Sequence, residues 1–231
     1  MYKDRCIGVV IPALDEELAI AQVIADIPEW VDDIVVVDNG SRDRTAAVAE
    51  TKGARVVHES ERGYGAACQT GIRALQDVDI VVFLDGDYSD YPEEMPLLVD
   101  PIVAHEADFV VGSRVTGNAQ RGALTLQQRF GNWLACRLMR HLWGCAYTDL
   151  GPFRAIRRDA LTRLGMVDRG YGWTVEMQIK SAKAGLRSLE VPVSYRPRIG
   201  KSKISGTLYG SFVAGTTILG WIARSTLSSR A

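Results

Sequence analysis

The stretch FLDGDYSDYPEE, residues 83–94, places Asp85, Asp87 and Asp90 directly after the apolar run DIVVFL. Carboxylates crowded at the end of a buried strand repel one another unless a positive charge sits among them. An Asp-x-Asp pair there offers hard oxygen ligands, which suit Mg²⁺ or Mn²⁺ with coordination positions left open for substrate phosphates. Such an ion neutralises a diphosphate as it departs, acting as a Lewis acid. Asp90, Glu93 and Glu94 have a plainer reading as caps of a helix starting near Pro92, where acids complement the dipole. Capping does not account for Asp85 and Asp87, which stand before that helix and are expected to hold the metal.

Cations collect in two other stretches. Arg114 lies in GSRV, residues 112–115, and RPRIGKSKISG, residues 196–206, packs Arg196, Arg198, Lys201 and Lys203 around Gly200 and Gly206 with no acid between them. Cations on a glycine-bearing loop suit phosphate oxygens, although the same composition describes a solvated basic loop. In ERGYGAA, residues 61–67, Gly63 and Gly65 open a helix whose N–H groups are expected to cradle a phosphate, unless they only permit a tight turn. The glycine spacing fits neither the dinucleotide nor the P-loop fingerprint. Asp38 ends the run VVVD and is free to accept from a base or ribose, while Asn39-Gly40-Ser41 reads as a turn before a helix capped by Ser41 or Asp43. Asp149, in TDLGPFR, is a candidate to orient an acceptor or act as base, or else forms a plain Asx-turn.

These residues need a scaffold. CIGVVIP, DIVVVDN, ARVVHE, DIVVFLD and ADFVVGS read as short buried strands, and residues 15–29, 42–52, 64–76 and 92–105 between them have helical apolar spacing. Alternation of this kind predicts an α/β fold, a mostly parallel sheet with helices on both faces, whose ligands bind at the carboxyl ends of the strands. Asp15 and Glu16 follow the first strand, Asp38 and Asn39 the second, Asp85 and Asp87 the fourth, so that edge is the expected active site. Residues 122–145 read as one long helix, RAIRRDALTRLG as a strand end with a short helix, GWTVEMQIKSAKAGL as a helix closed by Gly185, and RSLEVPVSYRPR as a strand near an edge.

The bulk numbers set limits. The 231 residues suit one domain with a large core, and a net charge of −1 gives no field for nucleic acid. Cys6, Cys68, Cys136 and Cys145 form no C-x-x-C pair, which suits free thiols in a reducing compartment. The N-terminus lacks the apolar core of a signal peptide, so the cytoplasm is expected. From Ile204 to Ala223 no residue is charged, and Gly206, Gly210 and Ala214 recur at a spacing that lets helices approach closely. That segment suits a core or homodimer helix or a membrane-surface contact.

VVIPALDEE, VVVDNGSRDRT, ERGYGAA, FLDGDYSDYPEE, VVGSR, TDLGPFR and PRIGKSK occur in this order between residues 7 and 205. Together they resemble family 2 glycosyltransferases of the GT-A fold, above all the polyprenyl-phosphate (dolichyl-phosphate) mannosyl- and glucosyltransferases. The resemblance implies a Rossmann-like single domain, residues 1–205, with a nucleotide-sugar half to residue 115, an acceptor half after it, and a helical segment at 206–231. It implies that Pro12, Asp15, Glu16 and Asp38 line the nucleotide-sugar pocket, to which the ERGYGAA reading adds Gly65. Asp85 and Asp87 would meet a divalent cation, with Ser89 at a further ligand position. Arg114, Arg129, Arg198 and Lys203 would face phosphates, joined by Lys201 on the reading of the basic loop, and Asp149 would sit beside the acceptor, so that Asp87, Asp149 and Arg114 form the catalytic set. Two departures stand out. Asn39 replaces a usual aspartate, and Leu150-Gly151-Pro152 replaces a usual Thr-Ser-Gly.

The expected activity is inverting transfer of a hexose from UDP-glucose or GDP-mannose to a polyprenyl phosphate, at the inner face of a membrane. The alternatives are a hydroxyl acceptor, with Asp149 as base, and an inactive sugar-nucleotide-binding protein.

Overall fold

The structure is a computed structural model that describes residues 1–200 and 208–227, and, within the latter, the side chains from 215 onward. Seven strands form one sheet: β1 (Ile7–Ala13), β2 (Asp33–Asp38), β3 (Arg55–His58), β4 (Ile80–Phe83), β5 (Phe109–Ser113), β6 (Arg154–Arg157) and β7 (Ser188–Pro192). Their order is β3-β2-β1-β4-β6-β5-β7. Every pairing is parallel except those of β6, which runs antiparallel to both β4 and β5. The chain leaves β5 at the carboxyl edge and returns to that edge through TDLGPFR, so β6 must run back down the sheet. This return places the 149–153 turn beside the end of β5.

The sheet is covered on both faces. Ile20, Val23 and Ile24 of α1 (Ile20–Ala25), Ala49 of α2 (Thr45–Thr51) and Leu98 and Val99 of α4 (Met95–Val103) pack on Val9, Ile11 and Val82. On the other face, α3 (Tyr64–Ala74), α5 (Leu126–Trp143), α6 (Arg158–Leu164) and α7 (Trp173–Lys183) pack on Val10, Val35 and Phe83. The last helix, α8 (Leu208–Leu227), lies on α5 and α7 and buries Ile222. Among the described residues no helix is long and apolar enough to cross a membrane.

Several helices are shorter than their apolar spacing predicts, with α1 and α5 starting four residues or more late. Residues 15–19 turn instead of coiling, because Asp15 takes φ +52°. Its N–H donates to Ser41 Oγ, and Glu16 N–H donates to Thr45 Oγ1, which ties this stretch to the β2–α2 loop. The helix expected over 122–145 begins at Leu126, where Thr125 and Gln128 form a capping box, and ends at Gly144 in the left-handed conformation. Expectations for Lys201, Lys203 and Gly206 lie outside the described residues, as do those for the side chains of Gly210 and Ala214.

Candidate active site

A pocket of about 450 Å³ opens at the carboxyl edge, lined among others by Pro12, Asp15, Glu16, Tyr64, Asp85 and Asp87. It exists because β1 and β4 part company. Their pairing stops at Val10, whereas β2 follows β1 to Ala13. Val10 C=O accepts from Leu84 N–H, so the nitrogen of Pro12, two residues on, faces the same gap. A residue with no N–H to offer suits a strand whose neighbour has left.

The carboxylates in this pocket are held by protein groups. Asp85 Oδ1 accepts from Tyr64 Oη at 3.1 Å. Asp87 Oδ1 accepts from Ser89 N–H at 2.9 Å and Ser89 Oγ at 2.5 Å, and its other oxygen lies 3.2 Å from Arg198 Nη1. Arg198 also donates to Glu16 Oε1 at 2.7 Å. The stretch 196–203 has no acid in sequence, yet its described arginines are paired in the fold. Arg196 donates to the carbonyls of Tyr88 and Asp90 and stacks on the rings of Tyr88 and Tyr91.

Asp90 corrects the capping expectation. The 3-10 turn Pro92–Glu94 has Tyr91 at its N-cap, with no side-chain cap. The Asp90 side chain is buried, and neither of its carboxylate oxygens has a hydrogen-bond partner in the structure. Burial first, then the charges of Asp85 and Asp87, hold its carboxyl well above the usual range. Burial followed by the Asp87 charge likewise pushes Asp85 up to about 7. The carboxylates that the sequence crowds together are crowded in space. Their oxygen-only character fits a hard divalent cation better than zinc or copper. Among the described residues no group of three or more His, Cys, Asp or Glu side chains is arranged to hold an ion.

The phosphate cradle expected at Gly65 is filled by the protein itself. Gly65 and Ala66 N–H donate to the carbonyls of Gly170 and Arg169, at 3.1 and 2.9 Å. A Cβ on Gly65 would collide with the carbonyl oxygen of Asp168, so glycine is required by close backbone approach. Asp38 also turns inward, accepting from Ser41 N–H and from His58 Nδ1. Asn39 fastens the loop beside it, since its amide donates to the carbonyls of Glu59 and Glu61 and accepts from Gly63 N–H. An aspartate there would face two carbonyls with no proton to give.

On the other side of the β4–β6–β5 edge lies a larger cavity of about 830 Å³, between the 114–124 loop, α5 and α8. Arg114 lines it and is locked from below. Its N–H and Nε donate to Asp149 Oδ2 at 2.8 and 2.7 Å, and Nη2 donates to Oδ1 at 2.7 Å. Asp149 is fully buried. Burial alone would raise its pKa, but the Arg114 charge and hydrogen bonds outweigh that and hold it below the usual carboxylate range. Arg129 lines the same cavity and is exposed.

Several groups that build this wall carry no local sequence motif. Asn132 bridges Thr148 O and Leu150 N–H. Glu190 accepts from the N–H groups of Thr148 and Asp149, and Gln178 donates to Asp149 O. Arg154, fully buried, donates to the carbonyls of Gly151, Leu150 and Thr174, and so clamps the 149–153 turn. A charged residue inside β7 and an asparagine inside α5 were the available hints, and both are also common on solvated faces.

Residues 8–165 match the model of glycosyl transferase family 2. An uncharacterised glycosyltransferase of Mycobacterium tuberculosis is 40% identical over 216 residues, covering 90% of this chain and 94% of that one. The undecaprenyl-phosphate mannosyltransferase of Micrococcus luteus is 31% identical over 232 residues, 93% of this chain and 94% of its own. Among solved structures, glucosyl-3-phosphoglycerate synthase of M. tuberculosis, crystallised with Mn²⁺, UDP and glucosyl-3-phosphoglycerate, superposes with TM-score 0.79 at 28% identity, over 96% of this chain and 80% of that one. The parallel sheet interrupted by β6, the carboxylates at the end of β4 and these matches agree, and the chain belongs to glycosyl transferase family 2.

Proposed function

We propose that the chain moves a hexose from a nucleotide sugar, UDP-glucose or GDP-mannose, to a polyprenyl phosphate, by direct displacement with inversion. The observation that carries this reading is Arg114. It lines the larger cavity and stacks on the ring of Tyr195, whose backbone pairs with Asp90 of the carboxylate cluster, so it links a carboxylate pocket to a cationic cavity. The named activity of the M. luteus relative supports the lipid-phosphate acceptor, and the Mn²⁺ and UDP in the synthase crystal support the donor and the ion.

Asp85 and Asp87 fit a divalent cation, since Mg²⁺ is commonly held by one or two carboxylates together with substrate phosphates. When bound, such an ion would neutralise charge building on the departing nucleoside diphosphate. The protein's own share is positional. Tyr64 orients Asp85, while Ser89 and Arg198 orient Asp87. Arg198 is within reach of a diphosphate at that spot. Arg114, aimed by Asp149, steers an acceptor phosphate toward the anomeric carbon.

A phosphate acceptor is already ionised and needs no base. That suits Asp149, whose two oxygens are both engaged by Arg114 and whose low pKa makes it a poor proton acceptor. A hydroxyl acceptor would require this carboxylate to leave its partner. The test is nucleotide release from UDP- and GDP-sugars with Mn²⁺ or Mg²⁺, with and without a short-chain polyprenyl phosphate. Release that needs the lipid phosphate is expected. Slow hydrolysis indifferent to it would direct the search to hydroxyl acceptors, and no release with any donor would favour an inactive sugar-nucleotide binder.

A further inference from the structure

We propose that the outer face of α5 docks on an anionic phospholipid bilayer, so that the mouth of the basic cavity opens toward the headgroups. The proposal rests on the lipid-phosphate reading, because that acceptor lies in a bilayer.

Four large apolar side chains on α5 face solvent, and the three most exposed are Leu126 at 80%, Phe130 at 63% and Trp133 at 56%. Their spacing, four and three residues, puts them in one stripe along the helix. Phe130 and Trp133 pack on each other with ring centroids 5.9 Å apart. The core contact of α5 is made by a different face, through Ala135, Cys136 and Met139. The helix thus has an apolar seam facing inward and a second apolar stripe facing out. Its capping box and glycine C-cap fix both ends, so the outer stripe belongs to a preformed helix.

Charge selects the partner. From Val115 to Thr148 the chain contains no Asp or Glu, while Arg121, Arg129, Arg137, Arg140 and His141 fall within it. Among the described residues Arg129, Arg137 and Arg140 make no ion pair, and all three are exposed. The whole chain carries a net charge of −1, so this cationic surface is a local asymmetry. Aromatic and aliphatic side chains beside arginines on an exposed helix are the composition of interfacial segments, in which rings enter the headgroup boundary and guanidinium groups pair with lipid phosphates. A second copy of the chain would bring the same unpaired arginines against each other and is disfavoured by charge.

Geometry links the surface to the site. Arg129, Trp133, Arg137 and Arg140 line the 830 Å³ cavity from α5, and Arg114 lines it from the end of β5. A phosphate carried at the bilayer surface would meet the α5 arginines first and Arg114 last. Leu126 and Phe130 do not line the cavity, so they serve the docking face alone.

The test is flotation of the full chain with phosphatidylcholine vesicles and with vesicles containing phosphatidylglycerol. Wild type should float with the anionic vesicles only, and the binding should weaken with salt. The double variant Leu126→Ser/Phe130→Ser should lose about tenfold in partitioning, as expected when two apolar anchors are removed, while metal-dependent donor hydrolysis stays unchanged. Wild type that ignores anionic vesicles, or a variant that floats equally well, would overturn the proposal. So would a wild-type dimer in sedimentation velocity that the double variant converts to monomer. If polyprenyl phosphate in detergent is glycosylated while vesicles are ignored, docking fails and the acceptor reading stands. If the chain docks but no polyprenyl phosphate is consumed, the acceptor reading fails and the docking face stands.

Discussion

The proposed donor pocket and the proposed acceptor cavity use charge in opposite ways. Around the donor pocket the cation Arg198 sits between Glu16 and Asp87, and Asp38 is shared by Ser41 and His58. Around the acceptor cavity Arg114 is bound to Asp149, but Arg129, Arg137 and Arg140 project with no acid near them in sequence. The first region is organised before any ligand arrives, as expected where a diphosphate and an ion must be placed to within tenths of an ångström. The second keeps a surplus of positive charge that only an incoming anion satisfies. On the proposed assignment, preorganisation marks the side that does the chemistry, and unpaired charge marks the side that captures.

The strongest way to break this comparison is to remove the carboxylate that joins the donor pocket to its cation. Asp87→Ala should lower metal-dependent nucleotide release on the order of a thousandfold, the rate equivalent of several kcal/mol of charge stabilisation. It also leaves Arg198 with Glu16 alone. Activity near wild type in a steady-state release assay would mean that the Asp85–Asp87 pair does not hold the ion.

Asp149→Asn tests the anchored cation of the acceptor side. Breaking a buried pair while leaving its partner charged should cost about 3–5 kcal/mol of stability at neutral pH, read by urea melts. The native pKa of Asp149 lies below its unfolded value, so its contribution is present above about pH 4 and is lost as pH falls through the lower native value. The gap between wild type and variant should therefore shrink on acidification. A constant gap from pH 7 to pH 3 would show that the carboxylate charge is not what stabilises this corner.

Arg129→Ala sharpens the contrast, because it removes a charge that the protein does not itself use. Its stability should change by less than about 0.5 kcal/mol. KM for a polyprenyl phosphate should rise about tenfold, one lost charge-assisted contact. Donor hydrolysis should be unaffected, and a donor defect would argue that the two cavities do not divide the labour this way.

The two regions also differed in how much their sequences revealed. Strands rich in valine and isoleucine, and acids at three strand ends, are local signals, and Asp15, Glu16, Asp85 and Asp87 do meet around one pocket. What stayed hidden depends on contacts made across the chain. Arg198 finds Glu16 at a separation of 182 residues, and no stretch of sequence around either announces the other. Asp90 reads as a cap because it precedes a proline-led helix, but packing of the 88–91 turn against Tyr195 and Arg196 buries it instead. Gly63 and Gly65 look alike whether a phosphate or a carbonyl fills the space beside them, and only the fold shows that the 168–170 loop does. β6 reads as an ordinary strand, since direction is set by which edge the chain returns to.

A contact between α8 and the 168–172 loop also links the two regions, and its loss should have the smallest effect. Trp221 Nε1 on α8 donates to Asp168 Oδ2 at 2.5 Å, and Asp168 Oδ1 accepts from the N–H groups of Gly170 and Gly172. Gly170 and Tyr171 line the donor pocket, while Gly215 and Ile218 on the same helix line the acceptor cavity. The fit is close, since a Cβ on Gly172 would collide with the Trp221 ring. Trp221→Phe removes the donor and keeps most of the ring, and should cost about 1 kcal/mol of stability. If α8 helps to shape the donor pocket, KM for the nucleotide sugar should rise about threefold to tenfold with kcat unchanged, as for any loss of uniform binding. A merely structural role would lower stability and leave that KM where it was, and the two cavities would then share α8 without communicating through it.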